Sequence, residues 1–463
     1  MEPRSLSYVA AACRGEIRHG APSTLVTRVC TDSRVAQAGD LFVALAGERF
    51  DGHDYAAEVA GKGAAAVLVE RDRLRAAPGD CAVITVGHTR KALGRLAARY
   101  RRDFALPVVA VGGSNGKTTT KELLAAVLLQ RFTTLRSEAS FNNDIGVPLT
   151  LLKLDRSHQV AVLEVGTNHP GELAPLVRMV RPRFGVITSL GREHLEFFGD
   201  LAGVAEEEGW LAQLLPANGT LFVNGDSPGI EKILPRTRAR AIRVGFEPGN
   251  DWRSGEPTLD ESGVTFEAKT PEASLAGSYR VGLMGRHQVT NALLAAAVGA
   301  RLGLTRQEIQ RGLAGCQAPR MRMQISTIAG VSVLDDAYNA NTDSVLAALR
   351  TLQEFPCAGR RVAVLGDMAE LGKSSPDAHA EVGRRAAELK VDQLFAVGKM
   401  AGVMGAAARA AGLMRVNELG EVETAANAVK RFLRTGDVVL IKASRTTRLE
   451  RVVEVLGAIT EAQ

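Results

Sequence analysis

Apolar residues along this chain gather in short unbroken runs, and stretches of helical period separate the runs. PVVAVGG from Pro107, QVAVLEVG (159–166), FGVITSL (184–190) and GTLFVNG (219–225) are too continuous for half-exposed strands and predict buried ones. Strands alternating with helices imply a parallel sheet covered on both faces. The alternation restarts near residue 319 with VSVLDDAY (331–338), RVAVLGD (361–367), QLFAVG (393–398) and DVVLIKAS (437–444). That is a second, doubly wound sheet, with its ligand-facing loops beyond the carboxyl ends of the strands. Ahead of both, LFVALAG (41–47) and AAAVLVE (64–70) predict short strands, closed by a helix over 90–102. In that helix Lys91, Arg95 and Arg99 recur at i,i+4 beside Leu93, Leu96 and Ala97, the mark of a solvated face. Residues 256–284 predict short antiparallel strands, and helices follow at 288–302 and 305–315.

The expected architecture is α/β with three domains. A small mixed α/β domain covers 1–102, a central phosphate-loop domain with a parallel sheet covers 103–318, and a Rossmann-like doubly wound domain covers 319–463. The length of 463 residues agrees, at roughly 150 residues per domain. At 46% hydrophobic and 23% charged the chain is too apolar to be disordered.

No uncharged apolar run approaches the roughly 18 residues of a membrane span, and MEPRSLSYVAAACRGE lacks the apolar core of a secretory signal. The expectation is a cytoplasmic protein with no membrane span. The five cysteines are scattered without a CxxC pair, which argues against disulfides or zinc and for a reducing compartment. The net charge of +6 is mild and dispersed, so it suits a polyanionic small ligand and gives no basic groove for nucleic acid.

One motif carries chemistry by its context. Gly113-Ser114-Asn115-Gly116-Lys117-Thr118 follows a strand and opens a helix. Glycines let backbone approach a phosphate chain, and the helix start presents convergent N–H groups. Lys117 would reach the β- and γ-phosphates and the Thr118 hydroxyl would ligate Mg²⁺. The longer GxxxxGK[ST] pattern is not met, because Val111 stands at its first glycine. ATP binding is the expectation; a glycine-rich turn without a ligand is the alternative.

Thr119 and Thr120 extend this to GxxGKTTT, which resembles the Mur ligases, amide-forming enzymes of peptidoglycan synthesis. The likeness continues in order through TDSR…GDLFVALAGERFDGHDY (31–55), SFNNDIGVPLTLL (140–152), EVGTNHPGEL (164–173), GRHQVTNALLAAAV (285–298), LDDAYNANTDS (334–344) and LGDMAELG (365–372). Several of these blocks look like the branch that joins D-alanyl-D-alanine to UDP-N-acetylmuramoyl-tripeptide, in a monomeric enzyme using ATP and two Mg²⁺ ions.

The resemblance implies roles for further residues. Glu164 ends a buried strand, where a carboxylate needs a cation: Mg²⁺, or a Lys or Arg in a salt bridge. His194, in the block matching HLE, is implied as a ligand of the second Mg²⁺. On the following helix the family carries a lysine carbamylated by CO₂, and here the matching position is Glu208. Either Glu208 replaces the carbamate, or Glu206, Glu207 and Glu208 form a solvated acidic turn. Asn291 is implied at adenine, Arg322 at the ATP phosphates (with Arg320 two residues away), and Asp336 at the ribose. His287 shares a helix face with Asn291 and is left unassigned. Ser33, Arg34, Arg49, Phe50 and Asp51 look like the uridine diphosphate pocket. Asn142, Asn143, Thr167, Asn168 and Asn341 look placed for substrate, and Lys442, Ser444 and Arg445 for the incoming dipeptide.

The implied reaction activates a peptide carboxylate by phosphoryl transfer from ATP and then forms an amide through an acyl phosphate. Two alternatives belong to other readings. One is a neighbouring ligase, adding the third amino acid or extending folate with glutamate, against which DAYNAN speaks. The other is a phosphate-loop motor on nucleic acid.

Overall fold

The computed structural model describes residues 1–73 and 79–458. They form two compact units: Met1–Ala110 with Phe132–Thr167 and Glu172–Phe184, and Val111–Arg131 with Asn168–Gly171 and the described residues from Gly185 onward.

In the first unit a five-stranded sheet runs in the order Glu16–His19, Ala82–Val86, Ala66–Glu70, Asp40–Val43, Arg28–Cys30. Its last four strands are parallel, and only Glu16–His19 is antiparallel to its neighbour. The run LFVALAG leaves the sheet after Val43, because the chain then folds into a tight loop in which Gly47 N–H donates to the Phe50 carbonyl at 2.9 Å. Loops leaving Arg28–Cys30 and Asp40–Val43 therefore emerge at one carboxyl edge, where ligands of parallel sheets collect.

Thr89–Arg101 forms the expected helix and buries Leu93, Leu96, Ala97 and Tyr100. Lys91 and Arg99 are exposed, but Arg95 is half-buried and its Nε donates to the Cys13 carbonyl at 2.9 Å. The basic stripe is thus solvated at its ends and bonded at its middle. Further along this unit, Val160–Glu164 pairs in parallel with Thr134–Arg136.

In the second unit the helix Lys117–Leu128 packs against His287–Arg301 and Arg306–Gly315. Small residues permit that closeness: a Cβ on Gly312 would stand 2.5 Å from Val127 Cα, and one on Gly299 would stand 2.8 Å from Val127 Cγ1. Thr220–Asn224, Arg240–Gly245 and Trp252–Ser254 are parallel. Thr258–Asp260, Gly263–Lys269 and Gly277–Val281 are antiparallel, as the pattern over 256–284 predicts.

A six-stranded sheet follows in the order Gln324–Ile328, Val331–Asp335, Val438–Lys442, Arg361–Gly366, Gln393–Val397, Val416–Leu419. All neighbours are parallel except the first hairpin, and apolar clusters cover both faces. The two outermost strands escape the sequence pattern because an edge strand exposes one row of groups and needs no continuous apolar run. Among the described residues no helix is long and apolar enough to cross a membrane. All five cysteines are free, and four are buried.

Replacing Gly312 by alanine should destabilise the protein by about 1–3 kcal/mol, because the added methyl meets helix backbone and not a side chain that can turn away. Denaturant unfolding checks this; an unchanged midpoint would contradict the packing.

Candidate active site

The buried strand Val108–Gly112 delivers the chain into the loop at Gly113. Two positions demand glycine. Gly113 sits at φ +107°, where a Cβ would lie 2.6 Å from Thr188 Oγ1. Gly116, at φ +86°, caps the helix Lys117–Leu128, and a Cβ there would lie 2.7 Å from Asn291 Oδ1.

The segment after Gly185–Ile187 holds the loop in shape. Ser114 N–H donates to the Ser189 carbonyl at 2.7 Å, Asn115 N–H to Ser189 Oγ at 3.0 Å, and Gly191 N–H to Ser114 Oγ at 2.9 Å. Lys117 folds back so that its Nζ donates to the Gly113 and Ser114 carbonyls, with the Glu193 carboxylate 3.5 Å away. Thr118, Thr119 and Thr120 are buried.

Residues far along the chain converge on this loop. Arg322 Nη2 donates to Thr118 Oγ1 at 3.3 Å while its guanidinium lies 4.0 Å from the Tyr338 ring centroid. Arg320 is exposed, so Arg322 is the arginine that reaches the loop. Asn341, the N-cap of Thr342–Glu354, exchanges side-chain amide bonds with Asn115 at 2.9 and 3.4 Å. Asn291 is buried, accepting from Thr120 Oγ1 at 3.1 Å and donating to Gln288 at 2.9 Å. An amide has two donors and two acceptor positions, so one of each is left for a base. His287 begins the same helix, and burial pushes its ring pKa down.

Beneath the loop lies Glu208, 1% exposed. Its Oε2 accepts from Gly113 N–H at 2.7 Å, while its Oε1 is buried without a partner. Burial raises its pKa to about 7, against the pull of Lys117, and the Glu193 and Glu207 charges add to the rise. The solvated-turn alternative is thereby corrected. Only Glu206 faces solvent; Glu207 is buried and accepts from Gly171 N–H at 2.9 Å. Successive residues of a helix point about 100° apart, which splits three adjacent glutamates among three surroundings. His194, in the left-handed region at φ 49°, caps Leu195–Phe198 and hydrogen-bonds Glu370 through Nδ1.

Other expected residues of this unit are already partnered. Asp336 accepts from Met323 N–H at 3.1 Å and from Lys442 Nζ at 2.6 Å. Lys442 and Ser444, expected at the dipeptide, are buried, with Lys442 also donating to the Asn339 carbonyl and Ser444 to that of Ala340. Arg445 is exposed and paired with Glu450. Asn168 is exposed.

In the first unit Glu164 ends its strand 1% exposed. Asn142 Nδ2 donates to its Oε1 at 2.9 Å, and Oε2 is buried without a partner. The salt-bridge alternative is not met, since no Lys or Arg pairs with Glu164 among the described residues. Asn143 Oδ1 accepts from Ile145 and Gly146 N–H, and Thr167 Oγ1 lies 3.4 Å from Glu172 Oε2. Ser33 and Arg34 follow Arg28–Cys30; Arg49, Phe50 and Asp51 follow Asp40–Val43, at the same sheet edge. Arg34, Arg49 and Phe50 are exposed, and Asp51 pairs with Arg73 and His53. Arg34 holds the Asp32 carboxyl down to about 2.

Hard oxygen donors lacking a partner in buried surroundings suit Mg²⁺, which takes one or two carboxylates and completes its shell with water and phosphate. The unpartnered oxygens of Glu208 and Glu164 meet that requirement. Among the described residues no group of three or more His, Cys, Asp or Glu is assembled to hold a metal. Glu193, Ser189 and Arg192 were not singled out from the sequence; a charge directly before the HLE block was the only signal for two of them, and Ser189 gave none.

Three family models match consecutive parts of the chain: "Mur ligase family, catalytic domain" over 25–101, "Mur ligase middle domain" over 111–299, and "Mur ligase, glutamate ligase domain" over 321–445. The chain belongs to the Mur ligase family. It is 38% identical over 459 residues to the Escherichia coli UDP-N-acetylmuramoyl-tripeptide–D-alanyl-D-alanine ligase, covering 98% of each chain. It also resembles a crystal structure of MurF from Acinetobacter baumannii (32% identity, TM-score 0.90, 99% of each chain). A third match is the MurF ligase of Thermotoga maritima in complex with ADP (28%, TM-score 0.80, 94% of this chain and 98% of that one).

The folded state holds a proton on Glu208 that the unfolded chain releases above its ordinary value of 4.5. Stability of the magnesium-free protein should therefore fall as pH rises from about 4.5 to about 7. Glu208→Gln keeps an acceptor for Gly113 N–H and removes the titration, so it should gain on the parent across that window. Parallel melting-temperature curves for the two proteins would contradict it.

Proposed function

We propose that this chain joins D-alanyl-D-alanine to UDP-N-acetylmuramoyl-tripeptide, converting ATP to ADP and phosphate, in the cytoplasmic synthesis of peptidoglycan precursors. Identity with the D-alanyl-D-alanine-adding relatives across nearly the whole chain supports the reaction. The observation that carries the mechanism is Arg322 on Thr118, an arginine from the glutamate ligase domain bonded to the first helical turn after the phosphate loop. The neighbouring ligases and the nucleic-acid motor are not favoured, because the relatives at this identity carry neither activity in their names.

Amide formation needs activation, since a carboxylate is a poor electrophile. In our reading the terminal carboxylate oxygen of the tripeptide attacks the γ-phosphorus of ATP, the bond to the β-bridging oxygen breaks, and ADP leaves. The amine of D-alanyl-D-alanine then attacks the acyl carbon, the bond to the phosphorylated oxygen breaks, and the amine loses a proton. The protein's part is positioning and charge neutralisation.

Lys117 exchanges its carbonyl partners for the phosphates, the N–H groups of residues 116–119 line them while those of Gly113, Ser114 and Asn115 hold the loop in shape, and Arg322 closes from the other side. Asn291 meets adenine and Asp336 the ribose. Thr118, Glu164, His194 and Glu208 would hold Mg²⁺, two ions in our reading, with Glu208 standing in for the carbamylated lysine. Bound Mg²⁺ would supply charge neutralisation of the phosphoryl oxygens. Ser33, Arg34, Arg49, Phe50 and Asp51 would receive the uridine diphosphate, Arg being suited to it by its fork of donors. Asn142, Asn143, Thr167, Asn168 and Asn341 would face the peptide, and Lys442, Ser444 and Arg445 would border the dipeptide. The three matched spans support a division at 1–102, 103–318 and 319–463. In this reading the enzyme acts as a monomer.

ADP release should require both peptide partners, proceeding with D-alanyl-D-alanine and not with lysine, diaminopimelate or glutamate as the amine. Turnover with one of those, or turnover stimulated by DNA or RNA alone, would overturn the reading. Lys117→Ala should lower kcat by about 10²–10³-fold; near-normal ADP release would refute the role of the loop. Glu208→Ala should raise the Mg²⁺ concentration needed for half-maximal rate, whereas an unchanged Mg²⁺ dependence would dismiss Glu208 as a carbamate substitute.

A further inference from the structure

Arg192 has no part in the reaction as described, yet it makes more charge-assisted contacts than any residue of the phosphate loop. Its backbone N–H donates to Asp343 Oδ2 at 2.7 Å, and its Nε and Nη2 reach Asp343 Oδ1 at 3.0 and 2.6 Å. Its Nη1 and Nη2 also donate to the two oxygens of Glu381 at 2.7 and 3.2 Å. Asp343 lies in the first turn of Thr342–Glu354 and Glu381 in the middle of Ser375–Glu388, so one guanidinium grips two helices of the glutamate ligase domain. Planar forks of this kind fix geometry as well as charge.

The position of Arg192 gives the grip a consequence. Its neighbour Gly191 is bonded to Ser114 of the phosphate loop, and its other neighbour Glu193 stands 3.5 Å from Lys117 Nζ. On the far side, Asn341 precedes Asp343 by two residues and pairs with Asn115. Space is tight: a Cβ on Gly191 would come within 3.0 Å of Asp343 Oδ2. The start of Thr342–Glu354 is thereby fastened at two adjacent points to the segments that shape the phosphate site.

We infer that Arg192 is a positioning residue that clamps the glutamate ligase domain onto the phosphate loop through Asp343 and Glu381, setting the distance at which Arg322 meets the bound nucleotide and Asn341 the peptide. It touches neither ATP nor peptide. The inference rests on the ligase reading above. The clamp is partly open to solvent, so added salt weakens it.

Steady-state kinetics of Arg192→Ala, Arg192→Lys, Asp343→Asn and the Arg192→Ala/Asp343→Asn double variant test this, with ADP release and amide product measured together. Wild-type amide formation in the same assay separates this test from the ligase reading: if the wild type forms none, that reading fails first and takes the clamp's role in it along. Given an active wild type, both Arg192 variants should lose about tenfold in kcat. The KM for UDP-N-acetylmuramoyl-tripeptide should stay unchanged, and lysine should fail to rescue because it lacks the fork. Asp343→Asn should add nothing in the Arg192→Ala background, and the fall of wild-type kcat with added salt should vanish in that background. Unchanged kcat, full rescue by lysine, or additive losses would overturn the inference. So would a loss traced wholly to unfolded protein, with activity per folded molecule equal to the wild type's.

Discussion

A buried carboxylate lies under the phosphate loop, and the rest of the site is arranged around it. Glu208 accepts the first N–H of the loop and leaves its second oxygen unpaired. An ionised carboxylate in such a place is costly unless a cation or more donors meet it. The nearby cation is Lys117, which lowers the Glu208 pKa without overcoming burial. The site thus pairs a positive group that leans on backbone carbonyls with a negative group that lacks one partner. A bound nucleotide and its metal would satisfy both.

The second constraint is that a loop of six residues cannot hold its own shape. Ser189 and Gly191 brace it from one side, and Asn291 fills the space that Gly116 leaves open. Arg322 and Asn341 reach it from the glutamate ligase domain. Catalysis by positioning depends on groups whose supports are themselves held. Here the supports come from segments 74 to 226 residues away in the chain, which is why the motif alone says little about what the loop does.

Much of the scaffold was legible because buried strands and packed helices leave continuous or periodic apolar patterns. The helices at Thr89–Arg101, His287–Arg301 and Arg306–Gly315 lie where their periodicity puts them, and the antiparallel stretch after Glu256 follows its pattern. The edge strands Gln324–Ile328 and Val416–Leu419 were not legible, since half of each faces out. Charged side chains were the hardest to read. Glu206, Glu207 and Glu208 look alike in sequence, yet one is solvated, one serves Gly171 and one serves Gly113. Lys442 reads as a free cation after a strand, but it is buried against Asp336. Charge in a sequence gives no depth, and depth decides whether a charged group binds a ligand or holds the fold.

The central claim is that the phosphoryl group of ATP passes to the tripeptide's carboxylate before the amide forms. Tripeptide substrate carrying ¹⁸O in both oxygens of its terminal carboxylate tests it directly, with the released phosphate read by mass spectrometry. The account predicts one ¹⁸O atom in each phosphate formed with amide product. Unlabelled phosphate, or release of AMP and pyrophosphate, would contradict it.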